Sequence, residues 1–213
     1  MFRISPSRFV TTAPVRRRFL PALVALVGLT AACSDPVQPG VLGPVVENTV
    51  DLFSLNGSPP GSPNALALLA NATTVGVLPG VSRVGDGFNF DLVVDFTPAG
   101  PVLIPVKLVG SVLGGQRDVG LRKMDVPFDE LTEGPNDGYV FSSTLPIAVG
   151  DVFAVVAIQA PFCQQQFSIS QDLYAKLEVE AINTVARTAR LHVVVDPNCG
   201  SRRLVVQPPA PAT

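Results

Sequence analysis

Strict alternation is the feature that most limits this chain. In residues 88–96, Phe88, Phe90, Leu92, Val94 and Phe96 take every second position, while Asn89, Asp91 and Asp95 share the intervening ones with Val93. Successive side chains of an extended strand point to opposite faces, so this spacing predicts a half-buried β-strand. The pattern recurs where Leu173, Ala175, Leu177 and Val179 alternate with Tyr174, Lys176, Glu178 and Glu180. A second run at 188–195 follows a short polar turn around Asn183 and Thr184, which predicts a β-hairpin.

Weaker strand patterns lie at 50–55, 102–109, 119–124, 138–144, 151–160 and 203–206. Pro105 confines its segment to an edge strand or a bulge, because proline has no N–H to give a ladder. The 21 prolines and 18 glycines are spread along the chain. Turns at Gly114-Gly115, at 134–138 and at Val149-Gly150-Asp151 separate the runs at intervals that suit a sandwich. Only residues 65–72 are helix-permissive, and no βαβ alternation or internal repeat supports a parallel sheet. The expected fold is all-β, a two-sheet antiparallel β-sandwich over residues 50–206, with a small barrel as the alternative. Its roughly seven to nine short strands resemble the immunoglobulin-like architecture. That likeness is architectural and lends no function by itself, and there is no Trp for an antibody-type core.

Hydrophobic residues make up 47% of the 213 and charged residues 15%, enough apolar material for one core and too little charge for a disordered chain. A formal charge of -2 with scattered Lys and Arg supplies no field to concentrate nucleic acid, so no nucleic-acid partner is expected.

The front of the chain has export-signal anatomy. A long leading region ends in Arg16, Arg17 and Arg18, an apolar run follows from Phe19 to Leu29, and then come the small residues Thr30, Ala31 and Ala32. The apolar run is shorter than the roughly 20 residues that span a bilayer. The box Leu29-Thr30-Ala31-Ala32-Cys33 resembles the bacterial lipoprotein signal, with Thr30 where a large aliphatic residue usually stands. The resemblance implies a signal peptide at 1–32 and acylation of Cys33, palmitate being a chain of that kind. Ordinary cleavage near Ala32 and an uncleaved anchor are the alternatives. Each buried methylene contributes about 0.8 kcal/mol, so two or three acyl chains anchor stably where one does not. Arg16-Arg17-Arg18-Phe19-Leu20 also resembles the twin-arginine export motif. Residues 33–49, with Pro36, Pro39, Gly40, Gly43 and Pro44, read as a lipidated tether, and 207–213 as a Pro- and Ala-rich tail.

With Cys33 assigned to lipid, Cys163 and Cys199 remain as an even pair in an oxidising compartment, and a disulfide is their expected pairing. Free thiols and metal or redox chemistry are the other readings. His192 is the sole histidine and is expected on a strand surface. Asp86, Asp91 and Asp95 could be imagined around calcium, but alternating strand carboxylates normally form a solvated face. Asp125, Asp129, Glu130 and Glu133 read as a solvated loop, and Gly85-Asp86-Gly87 lacks the spacing of a phosphate cradle. Nucleophile elbows and zinc-protease helices are absent from the sequence. Within Glu133-Gly134-Pro135-Asn136-Asp137-Gly138-Tyr139, the residues Asn136, Asp137 and Tyr139 offer an aromatic beside flexible polar groups. That loop is either a partner-binding loop or a plain hairpin turn.

The functional expectation is a membrane-anchored envelope lipoprotein acting as a non-catalytic binding or structural module. It needs no cofactor, meets the membrane through its lipid and has an envelope protein as its candidate partner. The alternative is an envelope hydrolase working on polysaccharide or peptide through carboxylates. Glycan binding without catalysis is weaker, because stacking needs aromatic rows and the chain has only two Tyr.

Overall fold

Among the described residues ten strands form, because most apolar runs in this chain are too short, and too often broken by Pro and Gly, to make helices. The computed structural model describes residues 43–70, 78–86, 90–109, 118–165 and 170–206. The export segment, Cys33, most of the tether, Phe88, Asn89, the Gly114-Gly115 turn and the 207–213 tail lie outside these residues. In chain order the strands are β1 (Val46–Phe53), β2 (Ala65–Ala70), β3 (Leu78–Ser82), β4 (Leu92–Thr97) and β5 (Gly100–Pro105). Then come β6 (Asp118–Met124), β7 (Leu145–Pro146), β8 (Val152–Ile158), β9 (Leu173–Asn183) and β10 (Thr188–Asp196).

They form two antiparallel sheets of five strands, ordered β1-β10-β9-β8-β6 and β3-β2-β4-β5-β7. The expected all-β two-sheet antiparallel sandwich is therefore what the chain builds. Between the sheets lies the main core, which includes Leu52, Leu66, Phe90, Leu92, Leu103, Leu121, Phe153, Leu177 and Leu191, all fully buried.

The β9–β10 hairpin is as the alternation predicts, with Leu177 opposite Val193 and a bulge between Arg190 and Leu191. Its turn is closed by the Asn183 side chain, whose Oδ1 accepts the N–H groups of Val185 and Ala186 at 3.0 and 2.8 Å. Pro105 pairs only with Leu92 of β4, since β7 reaches no further than Val102 and Leu103. The proline thus sits at a free edge, as expected.

Several expectations are corrected. The helix-permissive stretch at 65–72 contains strand β2, because a short continuous apolar run suits a strand buried on both faces equally well. Residues 102–109 change from strand to a helical turn at Val106–Val109. Residues 138–144 supply one bridge, Val140 to Leu121, and 203–206 supply one, Arg203 to Glu133. β1 begins at Val46, inside the stretch read as tether. β3, with Pro79 and Gly80 at its centre, and the two-residue β7 carry no alternation to read.

A second core covers the outer face of the β1-β10-β9-β8-β6 sheet. There Val152 and Ala154 of β8, Val194 of β10, and Val45 meet Phe128, Leu131 and Leu204. The covering segments are the long β6–β7 connection and the chain after β10. Lys176 is buried beneath them, its Nζ donating to the carbonyls of Phe128 (2.8 Å) and Leu131 (3.0 Å) and lying 4.3 Å from the Phe128 ring centre. Gly120 of β6 is a close approach in the same layer. A Cβ there would lie 2.6 Å from the Phe141 ring and 2.8 Å from Tyr139 Cβ.

Cys163 and Cys199 are joined, with Cα atoms 5.7 Å apart across a separation of 36 residues. The bond ties the helical turn Pro161–Gln165 to the segment that leaves β10. Closing a loop of that length stabilises a fold by about 4 kcal/mol in the chain-entropy account. A Cys163→Ala, Cys199→Ala variant is expected to lose stability on that scale in urea unfolding. Gly120→Ala is expected to cost about 1–3 kcal/mol through overpacking, with exchange of the Val140 amide accelerated because the 139–141 segment must lift.

Candidate functional site

The loop singled out in the sequence lies over the outer sheet face, and its three residues are treated differently. Asn136 and Asp137 are exposed, whereas Tyr139 is half-buried and packs against the second core. The Tyr139 hydroxyl donates to the Pro135 carbonyl at 3.1 Å, and burial pushes its ionisation well above the usual tyrosine range. Tyr139 is therefore a strut for the loop rather than an exposed aromatic. Arg122 of β6 holds the loop from one side, donating to the Asp137 carbonyl at 2.7 Å. Arg202 holds it from the other, donating to Asn136 and pairing with Glu133.

Two short extended segments meet here. Gly134 donates its N–H to the Arg202 carbonyl at 2.7 Å, and Leu204 donates to the Thr132 carbonyl at 2.8 Å. Leu204 points inward and is fully buried, while Arg203 and Val205 face outward and are exposed. An open depression of about 500 Å³ lies alongside, lined by Thr132, Glu133, Ser201, Arg202, Arg203 and Val205. Loop reading alone missed the arginine side of this surface. The available signal was the weak strand pattern at 203–206, which carries no indication of the loop it meets.

Asp91 and Asp95, expected on a solvated strand face, are instead inside the fold. Asp91 is buried and its Oδ2 accepts the Leu68 N–H at 2.7 Å, holding β2 against β4. Asp95 is also buried. Its Oδ1 accepts the Ser54 hydroxyl (2.6 Å), the Asn56 N–H (3.2 Å) and the Phe96 N–H (2.9 Å), while its Oδ2 accepts the Asn56 amide at 2.8 Å. Arg187 closes this cluster, donating from Nη2 to Ser54 Oγ (3.0 Å) and to the Phe96 carbonyl (2.8 Å). To reach it, Arg187 adopts a left-handed backbone, φ 53°, a conformation that costs on the order of 1–3 kcal/mol for a non-glycine residue. Three loop ends are thereby joined. Asp196, likewise buried, accepts from Asn198 Nδ2 (2.6 Å) and Ser201 Oγ (2.5 Å), shaping the turn that presents Cys199.

The remaining sequence candidates stay apart. Asp125, Asp129, Glu130 and Glu133 are exposed along one loop, as expected. His192 sits on the outer sheet face, its Nε2 3.2 Å from Glu47 and its ring centre 4.6 Å from that of Phe128. Among the described residues, no group of three or more His, Cys, Asp or Glu could hold a metal ion. Chemically, the arrangement offers hydrogen-bonding backbone and fixed positive charge on a polar surface. No family model matches the chain, and neither a curated protein nor a solved structure matches it significantly.

Burial by itself raises the Asp95 carboxyl, but the hydrogen bonds from Ser54, Asn56 and Phe96 outweigh it and hold the group below the ordinary aspartate value of 3.8. A carboxyl depressed in the fold stabilises it fully above that value, and the contribution is lost as pH falls through the lower folded value. Asp95→Asn is expected to lose about 1–3 kcal/mol at neutral pH. It should also flatten the acid limb of the stability profile below about pH 4, measured by urea unfolding from pH 2 to 7.

Proposed function

We propose that this chain is an exported envelope lipoprotein, held to a membrane by lipid on Cys33, whose β-sandwich works as a non-catalytic binding or structural module. The observation that carries the reading is the Cys163–Cys199 disulfide. Structural disulfides belong to oxidising compartments, which fits a chain that opens with Arg16-Arg17-Arg18, an apolar run and a small-residue box ending at Cys33. With two of its three cysteines joined to each other, Cys33 is left for the anchor.

The fates of the carboxylates support a module rather than a hydrolase. Paired-carboxylate hydrolysis needs two acids facing one another across a cleft, one of them free to donate a proton. Asp95 and Asp196 are each committed to several donors inside the fold, and Asp91 to the β2 backbone. They act as structural acceptors. The acids Asp125, Asp129, Glu130 and Glu133 are exposed in succession along one loop, without a facing partner across a cleft among the described residues.

Intact mass of the protein purified from membranes tests the proposal. A chain beginning at Cys33 with added acyl mass is expected, with two thiols appearing only after reduction. Cys33→Ala is expected to move the protein from the membrane fraction to the soluble one. An unacylated mature chain that stays with the membrane regardless of Cys33 would overturn the anchor.

A further inference from the structure

We propose that the outward backbone edge of residues 201–206 is a docking site for an extended acidic peptide segment, which adds to it as a further strand. The proposal rests on the binding-module reading above and names the partner class for its surface.

The backbone geometry comes first. In an antiparallel pair, alternate residues turn their N–H and C=O groups to opposite edges. Around the Glu133–Arg203 bridge, the Arg202 carbonyl accepts from the Gly134 N–H and the Leu204 N–H donates to the Thr132 carbonyl. The groups of Arg203 and Val205 therefore face the other way. Among the described residues, the one bond recorded to them is a long 3.5 Å contact from the Arg203 N–H to Ser201 Oγ. An edge of this kind is a template for a further strand, with no proline at Arg203 or Val205 to block it and with the Arg203 charge to select what pairs there.

The platform is also rigid. Leu204 is fully buried in the second core, Ser201 is tied to Asp196, and Cys199 is held by its disulfide. An incoming strand would not have to order its receptor, which removes a large part of the usual cost of strand addition.

Charge selects the occupant. Arg202 is engaged by Glu133 and Asn136, and Arg122 by Asp137. Arg203 is exposed and makes no ion pair among the described residues. Opposite charges on adjacent strands attract and like charges repel, so a carboxylate beside Arg203 is favoured and a lysine is rejected. Val205 beside it, 42% exposed, accepts an apolar side chain two residues along. The adjoining depression leaves room for both.

Two synthetic peptides test this on the full chain: one alternating Glu with Val and Thr, and its counterpart with every Glu replaced by Lys. By fluorescence anisotropy, the Glu peptide is expected to bind at least about tenfold more tightly than the Lys peptide. It should slow exchange of the Arg203 and Val205 amides. Val205→Pro removes an N–H that has no partner among the described residues, and is expected to abolish binding with the unfolding midpoint unchanged. Should that variant fail to fold, Arg203→Glu serves instead, and is expected to reverse the preference between the two peptides. Equal binding of both peptides, undiminished binding by Arg203→Glu, or protection of other amides would overturn the proposal. So would protection of Arg203 and Val205 that rises with protein concentration alone, which would assign the edge to a second copy of this chain. Weighing the same sample separates the two readings. Acylated protein that ignores the Glu peptide sinks the edge alone, and unacylated protein that binds it sinks the anchor alone.

Discussion

A sheet that is apolar on both faces has to be covered twice, and most of this structure follows from that requirement. Strand β8 reads Val-Phe-Ala-Val-Val-Ala-Ile and is buried along nearly its whole length. One face packs into the sandwich. The other would leave Val152, Ala154 and their neighbours in water, at about 25 cal/mol for each Å² of apolar surface. The chain covers that face with the β6–β7 connection and the residues after β10, neither of which is regular secondary structure over most of its length.

Irregular backbone laid on an apolar sheet brings its own problem, because its carbonyls lose water. Lys176 answers it by sending an ammonium up from β9 to two carbonyls of the covering loop. Burial lowers its proton affinity, against the opposing pull of Asp129 and Glu47. A lysine whose folded value is depressed penalises the fold below that value, and the penalty fades as pH rises towards the ordinary 10.5. Charge is tolerated here because two acceptors and an aromatic face replace the water it gave up. The same logic runs through Asp91, Asp95 and Asp196, each a buried acid holding backbone or loop groups that the strands leave unpaired.

These interactions also explain what could be read from the sequence. The β9–β10 hairpin was legible because its two faces differ, the outer one carrying the polar Lys176, Glu178 and His192 where the inner one is apolar. Strand β2 was not, because Ala65, Leu66, Ala67 and Leu68 are all buried and a run without contrast has no period. Asp91 and Asp95 looked solvated because alternation reports which face a residue is on. It cannot report that the second face is closed by another part of the chain. The disulfide was legible once the expected lipid on Cys33 left Cys163 and Cys199 as a pair. The contact of 201–206 with 132–134 was not, since it depends on a long-range meeting of two irregular segments.

The position of the proposed docking edge follows from how the cover is attached. Segment 201–206 touches the sheet through alternate side chains, with Leu204 as its anchor, and joins the loop through the backbone groups of Arg202 and Leu204. A strand held in this way by one face and one edge necessarily leaves the other face and the other edge outside. In the body of a sandwich the second edge is taken by the next strand. Here the ribbon lies on top of a sheet instead of within one, and among the described residues no neighbour in the same layer takes that edge. The element that seals the second core is thus also the one that carries open backbone at the surface, with Arg203 standing beside it. Its stiffness comes from Leu204 below, Asp196 behind and the Cys163–Cys199 bond at its root.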